Sequence, residues 1–105
     1  MMDGALTQVE TITLVALADR PRYGYELVQR IEELTNGRLS LRPGNLYRVL
    51  HRLEGRGLVR ERAAAVAEDP RRRYFALTAA GRRSASAELA MYRRVVEVAG
   101  EVGNV

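Results

Sequence analysis

Hydrophobic residues recur at intervals of three and four in the first third of the chain, and this spacing predicts two helices. The first helix covers roughly residues 5–18 and ends before Pro21, because proline cannot continue a helix. The second has an apolar face from Leu27 to Leu34 and stops at the Asn-Gly pair 36–37, which is a common signal for the end of a helix.

The same spacing returns in two later stretches. A third helix is predicted to begin at Pro43, since a first helical turn does not need the missing N–H, and to end at Gly55 and Gly57. Its apolar stripe consists of Leu46, Val49, Leu50 and Leu53. A long fourth helix is predicted after Thr78, because threonine favours the N-cap position.

Three short stretches alternate between apolar and polar residues, which is typical of strands. Residues 38–41 (RLSL) predict one brief strand. Residues 58–62 and 72–77 are separated by a loop with a turn at Asp69 and Pro70, so these two stretches predict a hairpin.

The predicted order is helix, helix, short strand, helix, hairpin and long helix. It indicates a mainly α fold with a small β-hairpin, namely a winged helix-turn-helix over residues 1–77. Residues 78–105 would then form a C-terminal dimerisation helix. Its seam has the spacing of a coiled coil and contains Ala85, Leu89, Tyr92, Val96 and Ala99. A second apolar row lies beside the seam, and a second copy of the chain is the simplest partner to cover it.

Positive charge is concentrated in the middle of the chain. The net charge is +4 and every one of the 17 basic residues is arginine, but residues 38–73 alone hold ten arginines against four acids. A basic centre between mildly acidic ends is expected of a protein that binds nucleic acid. A charged surface in contact with water would have the same composition, so charge alone leaves both interpretations open.

Composition argues against catalysis. The chain has no cysteine, no lysine and one histidine, and it has no glycine-rich phosphate loop. Glu32 and Glu33 are sequence neighbours on a helix and therefore face different sides. We expect no enzyme activity, no metal site and no cofactor. Asp3 and Glu10 lie where a secretory signal would be basic, and the longest apolar run is too short to span a membrane, so we expect a cytoplasmic protein.

The side of the third helix opposite its apolar stripe carries basic residues. In helix-turn-helix proteins such a face lies in the major groove of DNA. We expect Arg48 and Arg52 to reach guanine edges or phosphates, and Asn45 to contact adenine or a phosphate. His51 is expected to contact DNA, with a pH switch as the alternative, and Arg42 to contact only the DNA backbone.

The predicted wing is also basic. Arg71 and Arg72 are the expected phosphate contacts, while Arg73 is expected to pair with Glu61 across the hairpin. Two acids at the tip, Glu68 and Asp69, would repel phosphate and limit how deeply the tip enters a groove.

Three blocks of the sequence resemble, in order and spacing, the PadR family of bacterial transcriptional regulators. They are YGYELVQRI (residues 23–31), RPGNLYRVLHRLEGRGLV (residues 42–59) and RRRYFALTAAGRR (residues 71–83). The similarity runs from about residue 6 to about residue 95. With one helix after the wing, the chain is similar to the compact PadR subfamily.

The resemblance implies a homodimeric repressor that binds double-stranded operator DNA and releases it when a small-molecule effector or another signal arrives. It also implies that Tyr47 contacts phosphate, although its ring could equally pack against the second helix. The alternatives are a winged helix that binds only protein, and an RNA-binding protein, for which clustered exposed aromatic residues are lacking. Four residues could line an effector pocket, but we favour a place in the core for them: Tyr25, Phe75, Met91 and Tyr92.

Overall fold

The structure is a computed structural model that describes residues 5–103. The outer ends of the two predicted domains, residues 1–4 and 104–105, lie outside the described residues. The elements in chain order are α1 (Gln8–Ala16), β1 (Arg22–Tyr23), α2 (Gly24–Leu34), α3 (Pro43–Gly55), β2 (Val59–Arg62), β3 (Tyr74–Leu77) and α4 (Ala79–Val102). The predicted fold class is confirmed, because three helices and a small sheet are followed by one long helix.

The sheet has three antiparallel strands in the order β1-β3-β2, one more than the predicted hairpin. β1 adds to the hairpin through the pairs Arg22 with Phe75 and Tyr23 with Tyr74. The strand predicted at residues 38–41 is wrong, because this stretch is a loop. Its alternation arises because Leu39 and Leu41 both pack against the core without pairing to another strand.

A buried arginine fixes the position of β1. The Arg22 guanidinium donates to the Ala16 carbonyl oxygen at 2.6 Å and to the Asp19 carboxylate at 2.6 Å. Because the carboxylate accepts these hydrogen bonds, Arg22 lowers the pKa of Asp19 to about 2. The end of α1 is thereby tied to the strand that leads into α2.

The core lies between the first three helices and the sheet. The predicted stripe on α3 is confirmed, since all four of its residues are buried. Of the four residues that we expected in the core, Phe75 is buried, but Tyr25 and Met91 are exposed and Tyr92 is half-buried. That expectation was wrong for Tyr25 and Met91, because the outer face of α2 and the second half of α4 have nothing packed on them in the described chain.

The first turn of α4 packs directly on the two residues that precede β2, Gly57 and Leu58. The Thr78 hydroxyl accepts a hydrogen bond from the Gly81 N–H at 3.0 Å, which confirms the predicted N-cap. The Thr78 N–H donates to the Leu58 carbonyl oxygen at 3.1 Å, and its hydroxyl donates to the Gly57 carbonyl oxygen at 2.7 Å. A Cβ on Gly81 would overlap the Leu58 carbonyl oxygen, so this contact requires glycine.

None of the helices within residues 5–103 combines the length and the apolar character that crossing a membrane requires.

Candidate nucleic-acid interface

The exposed side of α3 presents basic groups that have no partners within the described chain. Asn45, Arg48 and His51 are exposed, as is Arg42 at the N-cap position. Among residues 5–103, none of these four side chains makes a hydrogen bond or an ion pair. Gly44, Tyr47, Arg48, His51 and Arg52 together line one shallow, open surface. The guanidinium of Arg48 therefore keeps all its donors for an external ligand.

Tyr47 is half-buried at the edge of this surface, between α2 and the wing. Its ring packs edge-on against Phe75, with 6.1 Å between the ring centroids. A Cβ added to Gly24, at the start of α2, would lie only 2.7 Å from the Tyr47 hydroxyl oxygen. Packing against α2 therefore accounts for the ring, and the phosphate contact of the hydroxyl stays a prediction.

Arg52 differs from Arg48 because it is tied to another helix. Its Nε donates to Oε2 of Glu10 at 3.4 Å, and the Glu10 side chain is 7% exposed. Burial alone would raise the pKa of the Glu10 carboxyl, but hydrogen bonds from the Thr7 amide and from Arg52 outweigh burial and lower that pKa. Glu10 is thus a carboxylate beside the basic surface.

Sequence reasoning did not find Glu10 as a neighbour of the basic face. The spacing of Thr7 and Glu10 fits a capping box, and the structure has that box. The pair with Arg52 joins residues 42 positions apart, so no local spacing signals it.

The two acids of the wing tip are paired with arginines. The Arg62 guanidinium donates to both carboxylate oxygens of Glu68 at 2.9 and 3.1 Å, and this lowers the pKa of Glu68. Hydrogen bonds from Arg71 likewise lower the pKa of Asp69. The two acids at the tip are therefore charged, but the neighbouring arginines compensate their charge. They repel phosphate less than the sequence suggested.

Two arginines of the wing stack on tyrosine rings. The Arg72 guanidinium lies 4.1 Å from the centroid of the Tyr23 ring, and that of Arg62 lies 5.0 Å from the centroid of Tyr74. The two tyrosine rings meet edge-to-face at 5.5 Å. The predicted pair of Arg73 with Glu61 is present, at 2.5 Å. Cation–π stacking of this kind restricts the arginine side chains, and the guanidinium of Arg62 is in addition held by Glu68.

The second half of α4 exposes apolar residues. Within residues 5–103, only Gly81 and Ala85 of this helix are buried. Val96 of the predicted seam is 69% exposed, and Leu89, Tyr92 and Ala99 are half-buried. The neighbouring row is exposed as well, and it consists of Met91, Val95, Val98 and Val102. This surface is separate from the basic face of α3.

The sequence matches the model of the Transcriptional regulator PadR-like family over residues 13–87. Among solved structures, a transcriptional regulator from Streptococcus is 26% identical, with a TM-score of 0.75 over 94% of this chain and 100% of the other. A PadR family transcription regulator from Clostridium difficile is 21% identical, with a TM-score of 0.79 over 93% of this chain and 100% of the other.

One similar structure contains DNA. It is Bacillus subtilis PadR in complex with operator DNA, which is 18% identical with a TM-score of 0.68. The alignment covers 79% of this chain and 47% of that protein. At this identity the similarity concerns the fold of the two chains.

Proposed function

Because the chain belongs to the PadR-like family of transcriptional regulators, we propose that it is a dimeric repressor that binds operator DNA in a sequence-specific manner. Family members regulate transcription and are not enzymes, which agrees with the composition of this chain. The observation that carries the proposal is the exposed basic face of α3, where the side chains of Arg42, Arg48 and His51 have no hydrogen-bond or ion-pair partner within residues 5–103. The DNA complex of the similar Bacillus subtilis protein supports it further.

In this proposal α3 enters the major groove and the wing follows the backbone. Arg48 and Arg52 contact guanine edges or phosphates, and Asn45 contacts adenine or a phosphate near the start of the helix. Tyr47 contacts a phosphate, Arg42 contacts only the DNA backbone, and His51 contacts DNA. Residues 1–77 form the DNA-binding unit and residues 78–105 form the dimer through Leu89, Tyr92, Val96 and Ala99. A small molecule or another signal relieves repression. The protein acts in the cytoplasm.

A selection of binding sites from random DNA, repeated at two salt concentrations, tests the proposal. We expect an enriched palindromic site and an affinity that falls steeply with salt, because phosphate contacts release counterions. A protein that enriches no site and shows no such fall is a protein-binding winged helix instead.

Arg48→Ala should cost about 1–3 kcal/mol of binding free energy at the selected site and relax the preference at one base pair of each half-site. The reason is that the Arg48 guanidinium has no competing partner in residues 5–103. Titration of labelled operator and random DNA measures both affinities. Arg83→Ala, at an exposed position of α4, is the matched control and should leave the base preference unchanged. Equal losses on operator and random DNA would show that Arg48 contacts only phosphate.

Replacing Arg71 and Arg72 together with alanine should weaken binding to all DNA sequences alike. The Arg71 side chain is 89% exposed and forms an ion pair with Asp69, while Arg72 is stacked on Tyr23. Neither side chain is therefore arranged to select a base. The slope of log K against log salt should fall by about 2 per wing at most. Arg83→Ala with Arg94→Ala removes the same charge from exposed positions of α4 and should not change the slope. An unchanged slope in the wing variant would place the wing away from the DNA.

A further inference from the structure

The pair of Glu10 and Arg52 connects a core helix to the proposed DNA-binding face. Arg52 is on α3 beside Arg48, and its side chain is 54% exposed. Glu10 is on α1, in the interior of the domain. The contact uses only Nε of Arg52, at 3.4 Å from Oε2 of Glu10. Within residues 5–103, the two terminal nitrogens of the Arg52 guanidinium make no hydrogen bond.

Glu10 is a rigid anchor for this contact. Its other carboxylate oxygen, Oε1, accepts a hydrogen bond from the Thr7 N–H at 2.8 Å. The Glu10 N–H donates in turn to the Thr7 hydroxyl at 3.1 Å, which completes the capping box. Both oxygens of the carboxylate are therefore engaged, and its position is set by the backbone of α1.

An arginine that is held through Nε keeps a defined direction for its outer edge. A free arginine side chain samples many rotamers, and it loses this freedom when it contacts a base. The anchor on Nε removes much of that freedom before DNA arrives, and the terminal nitrogens stay available for acceptors.

We propose that Glu10 is a positioning residue for DNA recognition, which holds Nε of Arg52 so that the outer edge of the guanidinium faces the bases. This inference rests on the proposed DNA binding by α3. Arg52 then acts as a preorganised contact, whereas Arg48 becomes ordered only when it binds. Glu10 itself touches no DNA.

The negative charge of Glu10 gives the proposal a distinctive signature. A carboxylate beside the basic face weakens its attraction for phosphate, whatever the DNA sequence. Glu10→Gln keeps the shape of the side chain and removes its charge. Its amide has one acceptor oxygen, so it can accept from the Thr7 N–H or from Nε of Arg52 but not from both. It should therefore raise the affinity for random DNA slightly while it lowers the preference for operator over random DNA by about fivefold.

Four proteins form the test: the parent, Glu10→Gln, Arg52→Ala and the double variant. Dissociation constants for the selected operator and for random DNA are measured for each, and urea unfolding fixes the folded fraction. We expect the loss of discrimination in Glu10→Gln to disappear when Arg52 is already alanine, because Glu10 acts through Arg52.

Glu26→Gln is the matched control. Like Glu10, Glu26 accepts a hydrogen bond from an N–H at the start of its helix, here from Tyr23 at 3.3 Å. It also forms an ion pair with an arginine, but the partner is Arg20, at 3.4 Å. Its replacement should leave the preference for the operator unchanged.

Three results would overturn the inference. Equal losses of affinity for operator and random DNA in Glu10→Gln would indicate a purely structural role. The same loss of discrimination with and without Arg52 would show that the two residues act independently. A parent protein that does not distinguish operator from random DNA would overturn the proposed function together with this inference, whereas the first two results leave the proposed function standing.

Discussion

Val96→Asp should break the proposed dimer and give monomers that still fold but bind palindromic DNA poorly. Val96 is exposed within the described chain, so an aspartate at this position does not disturb the core of the protomer. In a two-fold dimer through the α4 seam, each interface contains the substitution twice. Two buried carboxylates without partners should weaken the dimer by about 3 kcal/mol or more, roughly a hundredfold in the dissociation constant.

Loss of the dimer also removes the fixed spacing of the two recognition helices. A two-fold pair of winged helices presents its two α3 helices about 34–36 Å apart, one turn of DNA. A monomer reaches one half-site at a time and loses the gain in affinity from the second.

Sedimentation at micromolar concentration measures the oligomeric state of the parent and of Val96→Asp. Ala90→Asp introduces the same charge on the opposite, polar face of α4 and should remain dimeric. A dimeric Val96→Asp protein, or a monomeric parent, would mean that the α4 seam is not the interface.

Gly81→Ala should destabilise the protein far more than Gly100→Ala, the same substitution at the other glycine of α4 within residues 5–103. The new Cβ would overlap the carbonyl oxygen of Leu58, and its second close neighbour is the Leu77 side chain. A backbone carbonyl cannot move aside by changing rotamer, so the first turn of α4 must shift away from β2. Overpacking of this kind costs about 1–3 kcal/mol of unfolding free energy, and more where backbone must move.

Urea unfolding at fixed protein concentration measures the effect of Gly81→Ala. Gly100→Ala is the matched control, because it is the same substitution in the same helix. Apart from the adjoining residues and the helix backbone, no atom of the described chain lies within 4 Å of the new Cβ. Alanine favours a helix over glycine by about 1 kcal/mol, so the control should be unchanged or more stable. A Gly81→Ala protein as stable as the control would contradict the close contact of α4 with Leu58.

Sequence periodicity predicted the helices because their signals are local. The apolar stripe of α3, the Asn-Gly end of α2 and the N-cap Thr78 all depend on residues within a few positions of each other. The prediction of a strand at residues 38–41 was wrong because its signal is also local. Alternation shows that Leu39 and Leu41 face one side, but not whether another strand is available to pair with them.

The third strand could not be predicted from the sequence near it. β1 has only two residues, and its partners Tyr74 and Phe75 lie about fifty positions later. The charge pattern similarly found the arginines of the candidate site but not their partners. Arg52 meets Glu10 across 42 positions. Arg62, at the end of β2, meets Glu68 in the following loop, whose conformation the sequence does not specify. The positions of these arginines were predictable from the sequence, but the charged groups around each of them were not.

The pairing of β1 with β3 has a mechanical consequence for the proposed complex with DNA. Tyr23 is the last residue before α2 and also part of the sheet, so the helix-turn-helix and the wing share one hydrogen-bonded frame. The wing therefore has little freedom to swing toward a misplaced groove. A duplex that meets both α3 and the wing must supply any adjustment itself, by bending or by changing the width of its minor groove. DNA sequences that deform easily between the α3 contact and the wing contact are then bound more tightly. The base pairs in that stretch affect the affinity although no side chain touches them.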